Sequence, residues 1–186
     1  MAESTTNIHT DEDFAWYVMR DLKPKHAKNH AYDMLKSLNV TCYTPIEYQL
    51  VVVGGEKVVH QVLVMPDLLF VKSNRNYLDA LIKKIPKLQY RYKLGVQSTP
   101  IVVRPVDMDD FIRAVENSNK TKFYAPHEVT PEMTDRKIRI IGGHLDGYTG
   151  TLITTRGSKK RRLLLEIPNL VAASVEVEAE YIQIID

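Results

Sequence analysis

The chain has little of several things. It holds one cysteine, Cys42, in 186 residues, which excludes an internal disulfide framework and a zinc site built from cysteines alone. No apolar run approaches the roughly 18–20 residues that a helix needs to cross a bilayer, so no membrane location is expected. Met1 to Asp13 contains four acids (Glu3, Asp11, Glu12 and Asp13) and no lysine or arginine. That stretch has neither the basic start nor the apolar middle of a secretory signal. It reads as a disordered acidic tail, residues 1–13, on a cytoplasmic protein.

Catalytic constellations are lacking too. The histidines (His9, His26, His30, His60, His127 and His144) are scattered. His26 and His30 have the i, i+4 spacing of two metal ligands, but no HExxH surrounds them. Gly142-Gly143 lacks the Gly-Lys-Ser/Thr that completes a phosphate-binding loop. Cys42 has no nearby base and reads as a strand residue. No enzyme, no metal and no cofactor are expected.

An ordinary globular balance is present, with 44% hydrophobic and 26% charged residues. The net charge of +2 is unevenly spread. Residues 14–117 hold 15 Lys/Arg against 10 Asp/Glu, and residues 136–186 hold eight against six. Such a surplus can steer phosphate non-specifically, or be a solvated surface.

Hydrophobic patterning divides the chain. Phe14–Arg20 is aromatic and β-branched and predicts a strand. Pro24 suits a helix's first turn, and Ala27, Ala31, Met34, Leu35 and Leu38 follow at helical spacing. A short strand is predicted at Val40–Pro45. Tyr48–Val53 and Glu56–Val64 flank Gly54-Gly55, the dipeptide of a tight hairpin. Leu68–Lys72 reads as a buried strand, Asn76–Ile85 as a helix, Tyr90–Val96 as a strand and Pro105–Val115 as a helix. Residues 14–117 therefore predict an α+β sandwich, an antiparallel sheet with helices on one face. Residues 118–135, with two prolines and weak periodicity, read as a linker. Phe123, Tyr124, Val129 and Met133 are apolar for a free tether, so part of it is expected to dock on a domain. Residues 136–186 hold five short strands, expected to form a small all-β antiparallel barrel.

The most specific motif is Ile138–Gly150, IRIIGGHLDGYTG. Ile138 and Ile140 alternate into a glycine turn, where Gly143 and Gly147 can take φ above zero; Leu145 and Tyr148 are its apolar plugs. This stretch resembles the KOW motif of NusG-type transcription factors and several ribosomal proteins, with His144 in place of the usual proline. Trp16-Tyr17-Val18 followed by a helix is similar to the start of NusG N-terminal (NGN) domains. Met65–Val71, MPDLLFV, is similar to their proline-led apolar strand, although Met65, Asp67 and Leu68 replace Phe, Gly and Tyr. The order of these features over Phe14–Asp186 resembles the NusG plan. Lys36–Pro45 is similar to the specialised RfaH/UpxY-like paralogues.

The resemblance implies a transcription elongation or antitermination factor. Its N-terminal domain would grip the clamp helices of RNA polymerase through Trp16, Tyr17, Pro66, Leu68, Phe70, Tyr90 and Tyr92. The same residues can instead fill the core, since alternation sends neighbours to opposite sheet faces. Arg20, Lys23, Lys25, His26, Lys28 and Tyr32 would face the non-template DNA strand, or form a solvated helix face. The barrel would recruit a ribosomal protein or Rho through Gly143, Leu145, Gly147 and Tyr148, with the basic tip Lys159, Lys160, Arg161 and Arg162. Those four cations can equally blunt strand edges. A monomer is expected. A KOW-type RNA-binding or ribosome-associated protein that never meets polymerase is the alternative.

Overall fold

The computed structural model describes residues 14–22, 29–95, 98–118, 120–154, 160–177 and 182–185. The acidic tail, residues 1–13, lies outside the described residues. The chain is mixed α+β with antiparallel sheets and separates into two compact units, 1–104 and 105–186.

In the first unit, β1 (Ala15–Asp21) is the centre of a sheet ordered β2 (Cys42–Tyr43), β5 (Leu69–Ser73), β1, β6 (Leu88–Tyr90). The far edge of β1 is shared. Met19–Asp21 pair with β6, while Trp16 and Tyr17 pair with β7 (Val102–Val103). Alternation along β1 turns Tyr17, Met19 and Asp21 to one face. There Met19, Leu69, Val71, Leu88 and Tyr90 pack with Tyr32 and Leu35 of α1 (Ala31–Ser37) and Leu78 and Leu81 of α2 (Arg75–Lys84). Both helices have identifiable starts. The Asn74 side chain accepts from Tyr77 N at 2.9 Å, an ordinary N-cap. Asp21, ten residues upstream on β1, accepts from Ala31 N at 2.6 Å and so caps α1 from the sheet. His30 is the extended N-cap residue, so α1 opens at Ala31 and His30 is not within it; the helix start expected near Pro24 lies outside the described residues.

One more expectation in this unit is corrected. The strand expected over Tyr90–Val96 ends at Tyr90; beyond it Tyr92 makes an isolated bridge to Pro100 and Gly95 turns the chain at φ 75°. The glycine hairpin forms as read, with β3 (Ile46–Val53) and β4 (Glu56–Leu63) in register from Ile46↔Leu63 to Val53↔Glu56. Gly54 and Gly55 both have positive φ, 61° and 91°, as a two-residue I′ turn requires.

In the second unit α3 (Pro105–Glu116) packs against β11 and β12, described next. The six-stranded sheet runs β13 (Ile182–Ile184), β9 (Thr134–Ile140), β10 (Thr149–Thr154), β11 (Arg161–Ile167), β12 (Val171–Glu176), β8 (Lys122–Tyr124). Three differences from the sequence reading follow. The helix assigned to the first domain (14–117) lies in the second unit, with Met108, Phe111 and Ala114 buried. Part of the expected linker, Lys122–Tyr124, is a strand, because Phe123 and Tyr124 pair with Ala173 and Ala172 and are buried there. The docking expected of this stretch does occur: Val129 and Met133 pack on Tyr124, Ile153, Leu164 and Ala172. Finally, among the described residues no pairing joins β8 or β12 to β13, so the five-stranded barrel is a six-stranded sheet that is not closed by hydrogen bonds. No helix among the described residues is long and apolar enough to cross a membrane.

Candidate functional site

The glycine turn of the second unit is built by backbone geometry. Ile140 N donates to Tyr148 O at 2.8 Å, and Gly147 N donates to Ile140 O at 2.9 Å. Between them the chain turns through Gly142, Gly143 and Gly147 at φ of 84°, 73° and 80°, and Gly142 N donates to Asp146 Oδ1 at 2.6 Å. Gly150 serves a different need: a Cβ there would lie 2.4 Å from Leu164 O, so only glycine lets β10 come this close to β11. Leu145 and Tyr148 are buried. The Arg113 guanidinium stands 5.7 Å from the Tyr148 ring centroid, and burial raises the phenol's pKa. Little of these two expected partner-contacting side chains is therefore left on the surface. Gly143 is exposed.

Of the residues expected to grip polymerase, most are inside. Phe70 is 0% exposed, Leu68 2% and Trp16 3%. Val18 and Phe70 face each other across β1 and β5, and Tyr43 lies against Phe70 at 6.3 Å between ring centroids. The expected apolar grip centred on Phe70 is therefore corrected: alternation puts Trp16, Val18 and Phe70 on the face opposite α1 and α2, and these apolar side chains are buried there as well. Pro66 and Tyr17 are half-buried. Tyr17, Tyr90 and Tyr92 form a ladder of rings, 5.8 Å and 6.1 Å between successive centroids. Its buried middle member, Tyr90, donates its hydroxyl to Asp79 at 2.9 Å beneath the Arg75 guanidinium; burial first and Asp79 second raise its pKa. Only Tyr92 is widely exposed.

The hairpin of the first unit exposes a run of apolar side chains on one face. Tyr48, Leu50 and Val52 of β3 share a face with Val59 of β4, and each is more than half exposed, Leu50 at 64%. Sequence reasoning passed over these residues because a strand rich in valine ordinarily reads as core.

The two described members of the expected DNA-facing set lie on opposite sides of the first sheet. Arg20 is exposed on the sheet face opposite the helices, whereas Tyr32 is buried among them under the Lys36 ammonium, 5.0 Å from its ring. Lys23, Lys25, His26 and Lys28 lie outside the described residues.

No family model matches the chain, and no curated protein matches it. The chain is similar to a solved structure described as "Domain interaction in Thermotoga maritima NusG". The TM-score is 0.47 and the identity 12%, covering 95% of this chain and 100% of that one.

The basic tip is only partly a tip. Lys159 lies outside the described residues, and Arg161 is exposed at the start of β11. Arg162 is folded in, its side chain 14% exposed. Its Nε donates to Ser174 Oγ at 2.9 Å and its Nη2 to Ser174 O at 2.8 Å and to the Lys120 carbonyl. Lys160 Nζ donates to Glu176 Oε2 at 2.9 Å. This hydrogen bond, foremost, raises the Lys160 pKa and lowers that of Glu176. Together with Lys120, Thr121, Lys122 and Tyr124 these residues line a cleft of about 440 Å³. Lys120 and Lys122 were read as linker. They join the other cations because β8 pairs with β12, which no local signal in residues 118–135 announces. Among the described residues, no group of three or more His, Cys, Asp or Glu side chains is placed to hold a metal ion.

Proposed function

We propose that the chain is a NusG-like transcription elongation or antitermination factor, a monomer acting in the cytoplasm without enzymatic activity or cofactor. One observation carries this reading. The KOW-like stretch Ile138–Gly150 has a glycine wherever its backbone needs one, with positive φ at Gly142, Gly143 and Gly147 and a close approach at Gly150. It follows, in the same chain, a Trp-Tyr strand and a proline-led strand that pair directly, Tyr17 opposite Val71 and Val18 opposite Phe70.

The first unit would bind RNA polymerase through its exposed apolar surface: Tyr92 of the expected set, and Tyr48, Leu50 and Val59 of the hairpin. Holding the enzyme in its closed, processive state is a population shift and needs no covalent chemistry. The second unit would recruit another partner, a ribosomal protein or Rho, and covalent linkage would raise that partner's effective concentration at the polymerase. Arg20 and its neighbours would meet the non-template strand.

Retention of polymerase on the immobilised chain tests this reading. The wild type is expected to retain it, and Leu50→Lys with Tyr92→Ala to lose most of it. Equal recovery by both, or by neither, contradicts it. A second reading, an RNA-binding or ribosome-associated KOW protein without polymerase contact, is favoured by the burial of Phe70, Leu68 and Trp16.

A further inference from the structure

We propose that a chain free of polymerase pairs through its β3–β4 hairpin with a second copy of itself, so that the copy and polymerase compete for one apolar face. The competition rests on the polymerase reading above; the self-association does not.

The register of the hairpin builds the face. Pairing is unbroken from Ile46↔Leu63 to Val53↔Glu56. Alternation therefore gives one side Ile46, Tyr48, Leu50 and Val52 of β3 with Leu63, Gln61, Val59 and Lys57 of β4. Ile46, at the base, packs on the core of the first unit. Farther out, Tyr48, Leu50, Val52 and Val59 are each more than 60% exposed. Neither strand has a neighbour on its outer edge among the described residues. The devices that ordinarily keep such a ribbon single are lacking. Neither strand holds a proline or a bulge, and the charge on this side is confined to Lys57, next to the turn.

Charge selects the occupant. A face whose one charge sits at its far end has no field for a charged partner to complement. An isologous contact needs the opposite, a surface that can meet itself without like charges coming together. A two-fold axis crossing the strands at the Leu50–Val59 pair does this. It lays Leu50 on Leu50 and Val59 on Val59 of the second copy, and Tyr48 on the second copy's Val52. Lys57 then meets Gln61, a neutral amide whose oxygen can accept. The two lysines end up about 14 Å apart at a strand rise of about 3.4 Å per residue, beyond a Debye length of about 8 Å. An axis along the strands would instead set each Lys57 against Val52 and bury a cation on an apolar side chain.

Area sets the strength. Tyr48, Leu50, Val52 and Val59 together present about 500 Å² per copy, so two copies cover about 1,000 Å², the low end of specific interfaces. Such a contact exchanges readily, as a face that also serves another partner must. It also turns a two-stranded ribbon, which is marginal by itself, into two packed sheets.

Sedimentation velocity on the full chain, from about 1 to about 100 μM, tests the proposal in the micromolar range expected of so small an interface. The wild type is expected to shift from the mass of one chain toward that of two. Leu50→Lys and Leu50→Glu each place like charges on the axis and should remain at one. An equal mixture of these two variants should associate again, because Leu50 meets its own counterpart. Leu94→Lys, at a fully exposed position outside the hairpin, should behave as the wild type. Circular dichroism checks that each variant folds. A wild type at the mass of one chain throughout would overturn the proposal and leave the face to other occupants. Association that survives Leu50→Lys, that Leu94→Lys abolishes, that grows beyond two copies, or that the mixture fails to restore would overturn it as well. Polymerase retention is read separately. A dimer that retains no polymerase sinks the polymerase reading alone, and retention by a chain that never dimerises sinks this proposal alone.

Discussion

β3–β4 and β11–β12 are antiparallel ribbons of similar aliphatic content with opposite fates. Leu163, Leu164, Leu165, Val171 and Val175 are buried, while Leu50, Val52, Val53 and Val59 are each more than 60% exposed. The difference is in the neighbours. β11 and β12 have β10 and β8 on their edges, and α3 packs against both. β3 and β4 pair only with each other among the described residues. A two-stranded ribbon has little to bury its side chains against, and its open edges and apolar face are what a partner can cover. Composition sets that a segment is a strand, but burial comes from elements distant in sequence.

Core truncation should show the contrast at its largest. Leu164→Ala is expected to lower stability by about 2–5 kcal/mol, the usual cost of a buried leucine with its cavity. Leu50→Ala should stay within about 0.5 kcal/mol of the wild type, as exposed substitutions do. Urea unfolding of both variants measures the difference, and equal losses would mean that the hairpin is covered after all. Gly150→Ala comes next, at about 1–3 kcal/mol, because its Cβ would meet backbone and the strands must part. A smaller loss would mean that β10 and β11 separate more readily than their pairing indicates.

Cys42 reports on the first sheet. Burial pushes its thiol up to about 11 from an ordinary 9, and the nearby Lys36 only partly opposes this. Native thiolate at neutral pH should be on the order of a hundredfold scarcer than in the unfolded chain, so iodoacetamide should label the native protein slowly. The sign for stability follows. The folded protein keeps its proton where the unfolded chain has lost it, so this contribution is intact below about pH 9 and is lost as pH rises toward about 11. Rapid native labelling at neutral pH would contradict the burial. The smallest effect is expected at Tyr148, whose buried hydroxyl has no hydrogen-bond partner among the described residues. Tyr148→Phe should therefore be neutral or stabilising by up to about 1 kcal/mol in thermal unfolding; a clear loss would mean that the hydroxyl is paired.

Local features were legible in the sequence where a residue type has one conformational use. Gly54-Gly55 marked the hairpin, and Gly143 and Gly147 marked the turn of the second unit. Elements whose identity depends on a remote partner were not. Lys122–Tyr124 is a strand because Ala172–Ser174 pairs with it, and nothing within residues 118–135 announces that. Val102–Val103 is too short to be seen without its partner β1. Pro105–Glu116 was legible as a helix from Met108, Phe111 and Ile112, but its spacing could not say which sheet it covers. The candidate site divides the same way. The cations of residues 159–162 were visible as a run, whereas Lys120 and Lys122 join them only through the β8–β12 pairing. Phe70 was legible as important and apolar, but the burial of the apolar side chains on both faces of its sheet was not.

Transcription by a purified bacterial RNA polymerase on a template with a pause and a terminator, with and without the chain, tests the central claim most directly. Shortened pausing or increased terminator read-through, reduced again by Leu50→Lys with Tyr92→Ala, is the predicted result. Identical transcript patterns at saturating protein would contradict a role in elongation.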